Sequence, residues 1–181
     1  MSRTPSPLSP KVIWMTGLSG SGKSTIAQEL AKTLVGRTNL VRILDGDKLR
    51  STICKDLGFS EADRKENIRR AADLAKQLFN AGNTVIAALI SPYAEDRQKV
   101  REMFEKGQFI EVYVDTPIEV CMQRDPKGLY AKAMNGDIKN FTGIDSPYQE
   151  PTKPDIRITT QNHSPAQAVK IIIEYLQLNM V

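Results

Sequence analysis

The stretch GLSGSGKST, residues 17–25, follows directly on the apolar run VIWMT, residues 12–16, and leads into IAQELAKTL, residues 26–34, whose apolar spacing is helical. A strand that breaks into glycines and then becomes a helix aims several backbone N–H groups into one concavity, at the positive end of the helix dipole. Such a concavity takes an anion. Gly17, Gly22, Lys23 and Ser24 meet the spacing G-x-x-x-x-G-K-[ST], in which the lysine reaches the β- and γ-phosphates and the hydroxyl binds Mg²⁺. The expected ligand is a nucleoside triphosphate, cradled by Gly17, Leu18, Ser19, Gly20, Ser21, Gly22, Lys23, Ser24 and Thr25. The alternative, a glycine turn that binds nothing, does not account for a strand before it and a helix after it.

Five β-rich runs, residues 12–15, 40–44, 84–90, 109–114 and 156–159, alternate with helical patterns beginning near Lys23, Asp47, Ser60, Glu95 and Ser164. That alternation predicts an α/β fold, a five-stranded parallel sheet with helices on both faces. The helix from Ser60 opens on SEAD, resembling a capping box, and stops at Gly82. Ile68, Ala72, Ala75 and Phe79 mark its apolar side. Ser164 and Pro165 form a favoured N-cap and first position for the last helix. With 181 residues the chain reads as a loose Pro/Ser tail over 1–10 and a single domain over 11–181.

Residues 124–154 break the alternation, being rich in Gly, Pro, Asp and Lys. A long segment without regular structure is functional or disordered, and Tyr130, Phe141 and Tyr148 argue against disorder. It reads as a mobile lid that carries Arg124, Lys127, Lys132 and Lys139 toward the phosphates. The plainer alternative is a solvated loop.

A net charge of +4 favours anionic ligands, and a nucleotide accounts for it without nucleic acid, since no Lys/Arg cluster is present. No apolar stretch approaches the length of a membrane span, and the opening MSRTPSPLSP has no apolar core of a signal peptide. Only Cys54 and Cys121 occur, which points to a reducing compartment, the cytoplasm, and away from a disulfide scaffold.

The loop names the phosphoryl donor but not the acceptor. TKPD (152–155) and DPKG (125–128) imitate guanine-reading and switch motifs, yet the first precedes a predicted strand instead of following one. The acceptor side is read from residues 43–70. Asp45 and Asp47 end the second strand at the carboxyl edge of the sheet, where α/β ligands bind. There a carboxylate either holds Mg²⁺ or takes a proton from an attacking hydroxyl, although Asp47 also suits a plain helix cap. Arg64 and Asn67 share a helix face and with Arg50 suit an anionic nucleotide. Arg69 and Arg70 read as solvated or paired with acids. Phe59 and Phe141 are stacking faces or core. Ser91 either binds substrate or caps the helix near Glu95; as a nucleophile it lacks a nearby histidine, since His163 is the only one.

Taken together, GLSGSGKST, LDGD with Arg50, DRKENIRR, ALISPY, RDPKGLY and FTGIDSPY resemble the adenylylsulfate kinases, from Lys11 to the end of the chain. The resemblance implies a P-loop kinase fold and transfer of the ATP γ-phosphoryl to the 3′-hydroxyl of adenosine 5′-phosphosulfate (APS), with Mg²⁺, in a homodimer serving sulfate assimilation. It implies that Asp47, Arg50, Phe59, Arg64, Asn67, Ser91, Lys139 and Phe141 line the APS site, with adenine between the two aromatics. The catalytic set is Lys23, Asp47 and Ser91; Ser24 and Asp45 are the metal ligands, and Arg124 joins the ATP site. The position matching Ser91 is described as a phosphoserine in bacterial relatives, but loose phosphoryl transfer needs positioning and charge neutralisation more than a covalent relay, which favours direct in-line transfer. Lys48 and the run RSTI (50–53) depart from the family pattern beside Asp47. Another small-molecule kinase, for a nucleoside monophosphate or gluconate, and a nucleotide-dependent switch are the competing readings.

Overall fold

The computed structural model describes residues 8–38 and 40–178, so most of the expected tail lies outside the described residues. Leu8 is already anchored, its N–H donating to the Arg37 carbonyl and its side chain packing on the core.

The chain runs β1 (Val12–Thr16), α1 (Lys23–Leu34), β2 (Leu40–Asp45), α2 (Gly46–Arg50), α3 (Glu61–Asn80) and β3 (Asn83–Ala88). It continues through α4 (Ala94–Glu102), β4 (Phe109–Asp115), α5 (Ile118–Arg124), α6 (Leu129–Met134), β5 (Ile156–Thr159) and α7 (Pro165–Leu178). All pairings are parallel, in the order β2-β3-β1-β4-β5. β1 lies at the centre, and all five of its residues are buried, as a strand covered on both faces requires.

Alternation along the strands divides the apolar residues between two cores. Ile13, Met15, Ile86 and Val112 face α1 and α7, meeting Ile26, Leu30, Ile172 and Leu176. Val12, Trp14, Val85 and Phe109 face α3 and α4, meeting Ile68, Ala72, Ala75 and Val100. The predicted five-stranded sheet with helices on both faces is the fold observed.

The caps explain where the helices begin. The Ser60 hydroxyl accepts the Asp63 N–H at 3.1 Å and Ser164 accepts the Gln167 N–H at 3.3 Å, so both expected caps stand. β3 is shorter than expected: it ends at Ala88, and the chain then turns at Ser91 with φ 47°. The expected uninterrupted loop over 124–154 also needs correction. It holds α6, whose first amides are accepted by the Asp125 carboxylate, and a bridge between Thr142 and Ser146. Short helices between Pro and Gly residues leave no long apolar period to read. The false guanine box resolves likewise: Asp155 accepts from Arg101 and from the Glu111 N–H, each at 2.7 Å.

Candidate active site

Every strand of this sheet points its carboxyl end at one edge, and the loops leaving that edge enclose a cavity of about 820 Å³. The P-loop forms its floor. Gly17 is required there, because a Cβ would lie 2.5 Å from the Val114 carbonyl oxygen. Gly22 caps α1 at φ 107°, a conformation that suits glycine. The first-turn amides of α1 are left without helical carbonyl partners and open toward the cavity.

Lys23 is buried, and its ammonium donates to the carbonyls of Gly17 at 2.8 Å and Leu18 at 2.6 Å. Burial lowers its pKa from the ordinary 10.5 to about 8. Ser19, Gly20, Gly22, Ser24 and Thr25 line the cavity. Gly17, Leu18 and Ser21 instead shape the loop from beneath; the Ser21 carbonyl accepts from Thr116 at 3.0 Å and from Arg124 at 3.3 Å. Arg124, at the end of α5, also meets Thr160 at 3.1 Å, which puts a cation beside the loop.

The Ser24 hydroxyl donates to the Asp45 carboxylate at 2.6 Å. These are adjacent hard oxygen donors, the set Mg²⁺ prefers when phosphates and water complete its shell. Among the described residues no group of three His, Cys, Asp or Glu could hold a metal ion. Asp45 also caps α2, accepting the Asp47 N–H at 3.0 Å. The capping role open to Asp47 therefore belongs to Asp45. The Asp47 carboxylate lies exposed at the cavity, ion-paired with Lys127.

The opposite wall is built from α2, α3 and the 140–142 segment. Arg64 is 6% exposed; it donates to the Phe59 carbonyl, to the Thr142 hydroxyl at 2.6 Å and to the Asn140 carbonyl. Desolvation lowers its pKa and that of Arg50. The Arg50 guanidinium lies 4.4 Å from the Phe59 ring centroid. One turn from Arg64, buried Asn67 has a side-chain N–H₂ with no hydrogen-bond partner among the described residues. A buried amide donor without a partner costs stability unless a ligand accepts from it. Phe59 and Phe141 both line the cavity, Phe141 edge-on to Tyr130 at 4.9 Å.

Ser91 is buried, reaches the cavity and does not cap α4, whose N-cap is Tyr93. Lys139 is the other correction. It is exposed and absent from the cavity wall; the chain turns at Asn140, φ 57°, and it is Phe141 and Thr142 beyond the turn that line the cavity, with the Asn140 and Phe141 N–H groups donating to the Asp145 carboxylate. Arg69 and Arg70 are paired, with Glu66 and Asp73 and with Glu66 and Asp56. Thr142, within FTGIDSPY but given no role of its own, lines the cavity, as do Thr160 and His163, which no motif marked. The one available signal was that loops after β5 must leave at the same edge.

Residues 9–159 match the family model for adenylylsulphate kinase. The chain is 54% identical over 170 residues to an adenylyl-sulfate kinase of Pseudomonas aeruginosa, covering 94% of this chain and 87% of that one. It is 52% identical over 167 residues to the bifunctional enzyme NodQ of a Rhizobium species, covering 92% of this chain but 26% of that longer protein. A solved structure of Mycobacterium tuberculosis APS kinase CysC, in complex with AMPPNP and APS, matches at TM-score 0.89 and 46% identity, over 94% of this chain and 99% of the other.

Proposed function

The chain belongs to the adenylylsulphate kinase family, and from that premise we propose which of its own groups carry the reaction. It transfers the γ-phosphoryl of ATP to the 3′-hydroxyl of APS, giving 3′-phosphoadenylyl sulfate and ADP, a step of sulfate assimilation. One observation carries the residue-level reading: a single cavity joins Lys23, Ser24 and the other lining residues of the P-loop to Asp47, Arg50, Arg64 and Asn67.

On the donor side, Lys23 exchanges its loop carbonyls for β- and γ-phosphate oxygens, and the α1 amides hold the same phosphates. Ser24 and Asp45 would hold Mg²⁺, which supplies neutralisation of the triphosphate charge. Arg124 and Thr160 border the donor nucleotide on the far side of the loop.

On the acceptor side, Asp47 takes the proton of the 3′-hydroxyl as that oxygen attacks phosphorus. Its freedom from helix capping supports this role. Asn67 donates its side-chain N–H₂ to the phosphosulfate, and Arg50 and Arg64 supply the countercharge. Phe59 and Phe141 flank the adenine. Lys127, across the cavity mouth against Asp47, belongs to the lid over 124–154 that keeps water from the phosphoryl group. Lys139 reaches the site only if that lid moves further. The transfer is direct and in line, with Ser91 as a binding group.

We place the enzyme in the cytoplasm as a homodimer with a single domain over 11–181 and no nucleic-acid or membrane partner. Two buried, unpaired cysteines support the reducing compartment. No helix among the described residues is long and apolar enough to cross a membrane. The family resemblance supports the dimer.

A coupled assay of ADP formation with ATP and either APS, AMP or gluconate tests the whole reading. APS-dependent turnover is expected. Turnover with AMP or gluconate in its place would reassign the acceptor, and slow hydrolysis indifferent to acceptor would make the chain a nucleotide switch.

A further inference from the structure

Trp14 is the only tryptophan of the chain. It lies in the central strand with no exposed surface, and its indole N–H donates to the Ser91 hydroxyl oxygen at 3.0 Å. We propose that Trp14 is a positioning residue that holds the Ser91 hydroxyl as a hydrogen-bond donor, aimed into the acceptor half of the cavity against an anionic oxygen of the acceptor nucleotide. The inference rests on the acceptor-site reading above and deepens it.

The direction follows from donor counting. An indole N–H only donates, so the Ser91 oxygen must accept, and its own proton has to go elsewhere. Among the described residues no acceptor for that proton is present, and the one open direction from Ser91, which is 1% exposed, is the cavity it lines. The backbone there is fixed rather than pliable. Ser91 has φ 47°, a strained setting for a residue with a Cβ, of the kind that persists where surroundings over-determine it. Its carbonyl accepts from Arg97 at 2.6 Å and from Thr16 at 3.4 Å, and Arg97 is itself held by Glu111 at 2.9 Å. Strain places the serine at the edge of the sheet, and the indole sets its rotor. An acceptor rich in phosphate and sulfate oxygens needs donors, and a serine held this way presents its proton to such an oxygen.

The test compares wild type, Trp14→Phe, Ser91→Ala and the double variant, measuring KM for APS, KM for ATP, kcat and melting temperature. Trp14→Phe keeps an aromatic ring and removes the donor. It should raise KM for APS about fivefold, the loss of one neutral hydrogen bond, with KM for ATP unchanged. In the Ser91→Ala background the same change should add nothing, whereas a purely structural role would lower both affinities and add fully. Wild-type tryptophan emission gives a reading that does not depend on Trp14→Phe folding: it should respond to APS, and Ser91→Ala should shift it to the blue and abolish the response. An active wild type with KM for APS indifferent to Trp14→Phe, or equal effects in both backgrounds, or emission blind to APS, overturns the inference alone. A wild type with no APS-dependent turnover overturns the functional reading with it.

Discussion

The P-loop brings to the cavity Ser19, Gly20, Gly22, Lys23, Ser24 and Thr25, all from the one run 17–25; the facing wall is assembled from α2, α3, the turn at Ser91 and the 140–142 segment, far apart in sequence. The first is rigid because glycine geometry and a helix start impose it locally. The second is held by long-range contacts such as Arg64 to Thr142, 78 residues apart. Damage to the loop should therefore abolish chemistry for any acceptor, and damage to the wall should change which acceptor is held.

The largest expected effect is on the loop side. Lys23→Ala should lower kcat about 10²-fold or more, taking its share of transition-state charge stabilisation as about 3 kcal/mol. Near-normal turnover by stopped assay would break the comparison at its stronger end. Asp47→Asn keeps the shape and removes the proton acceptor; kcat should fall about 10²-fold with KM for APS little changed. Asn67→Ala should raise KM for APS roughly tenfold and leave KM for ATP alone, and an equal rise in both would show that the two walls are not separable.

Acidity gives a sharper probe of the loop. With a free-enzyme pKa of about 8, Lys23 loses its proton as pH rises, so kcat/KM for ATP should fall above about pH 8, while kcat, governed by the phosphate-bound lysine, holds to higher pH. Stability moves the other way. Between pH 8 and 10.5 the unfolded chain holds a proton that folded Lys23 has released, so this group raises stability with pH, by at most about 1.4 kcal/mol per unit. Lys23→Met should flatten that slope in urea titrations across the window. The smallest effect belongs to Lys127→Ala. Its ion pair with Asp47 is exposed on both sides, so apart from lid closure its loss should alter stability by less than about 1 kcal/mol.

The same contrast governs what was readable in advance. β1, β2, β4 and β5 stand within a residue of their expected bounds, because β-rich runs between helical periods leave little choice of register. α5 and α6 were missed, being too short to show a period. Asp45 and Asp47 are two residues apart and chemically alike, and only the path of the chain assigned one to the cap and left the other facing the cavity. Lys139 has the charge for the site, but it stands before the turn at Asn140, and only the residues after that turn reach the cavity.

From residue order alone come the alternation of strands and helices, hence the sheet, and the anion cradle, because both depend on neighbours within a few residues. Which side chains face the cradle, that the Asn67 amide N–H₂ has no partner among the described residues and that Trp14 donates to Ser91 across 77 positions of sequence, came from tertiary packing. Hydrogen bonds between distant side chains form only when the crossovers have brought their strands together, and no local pattern records them.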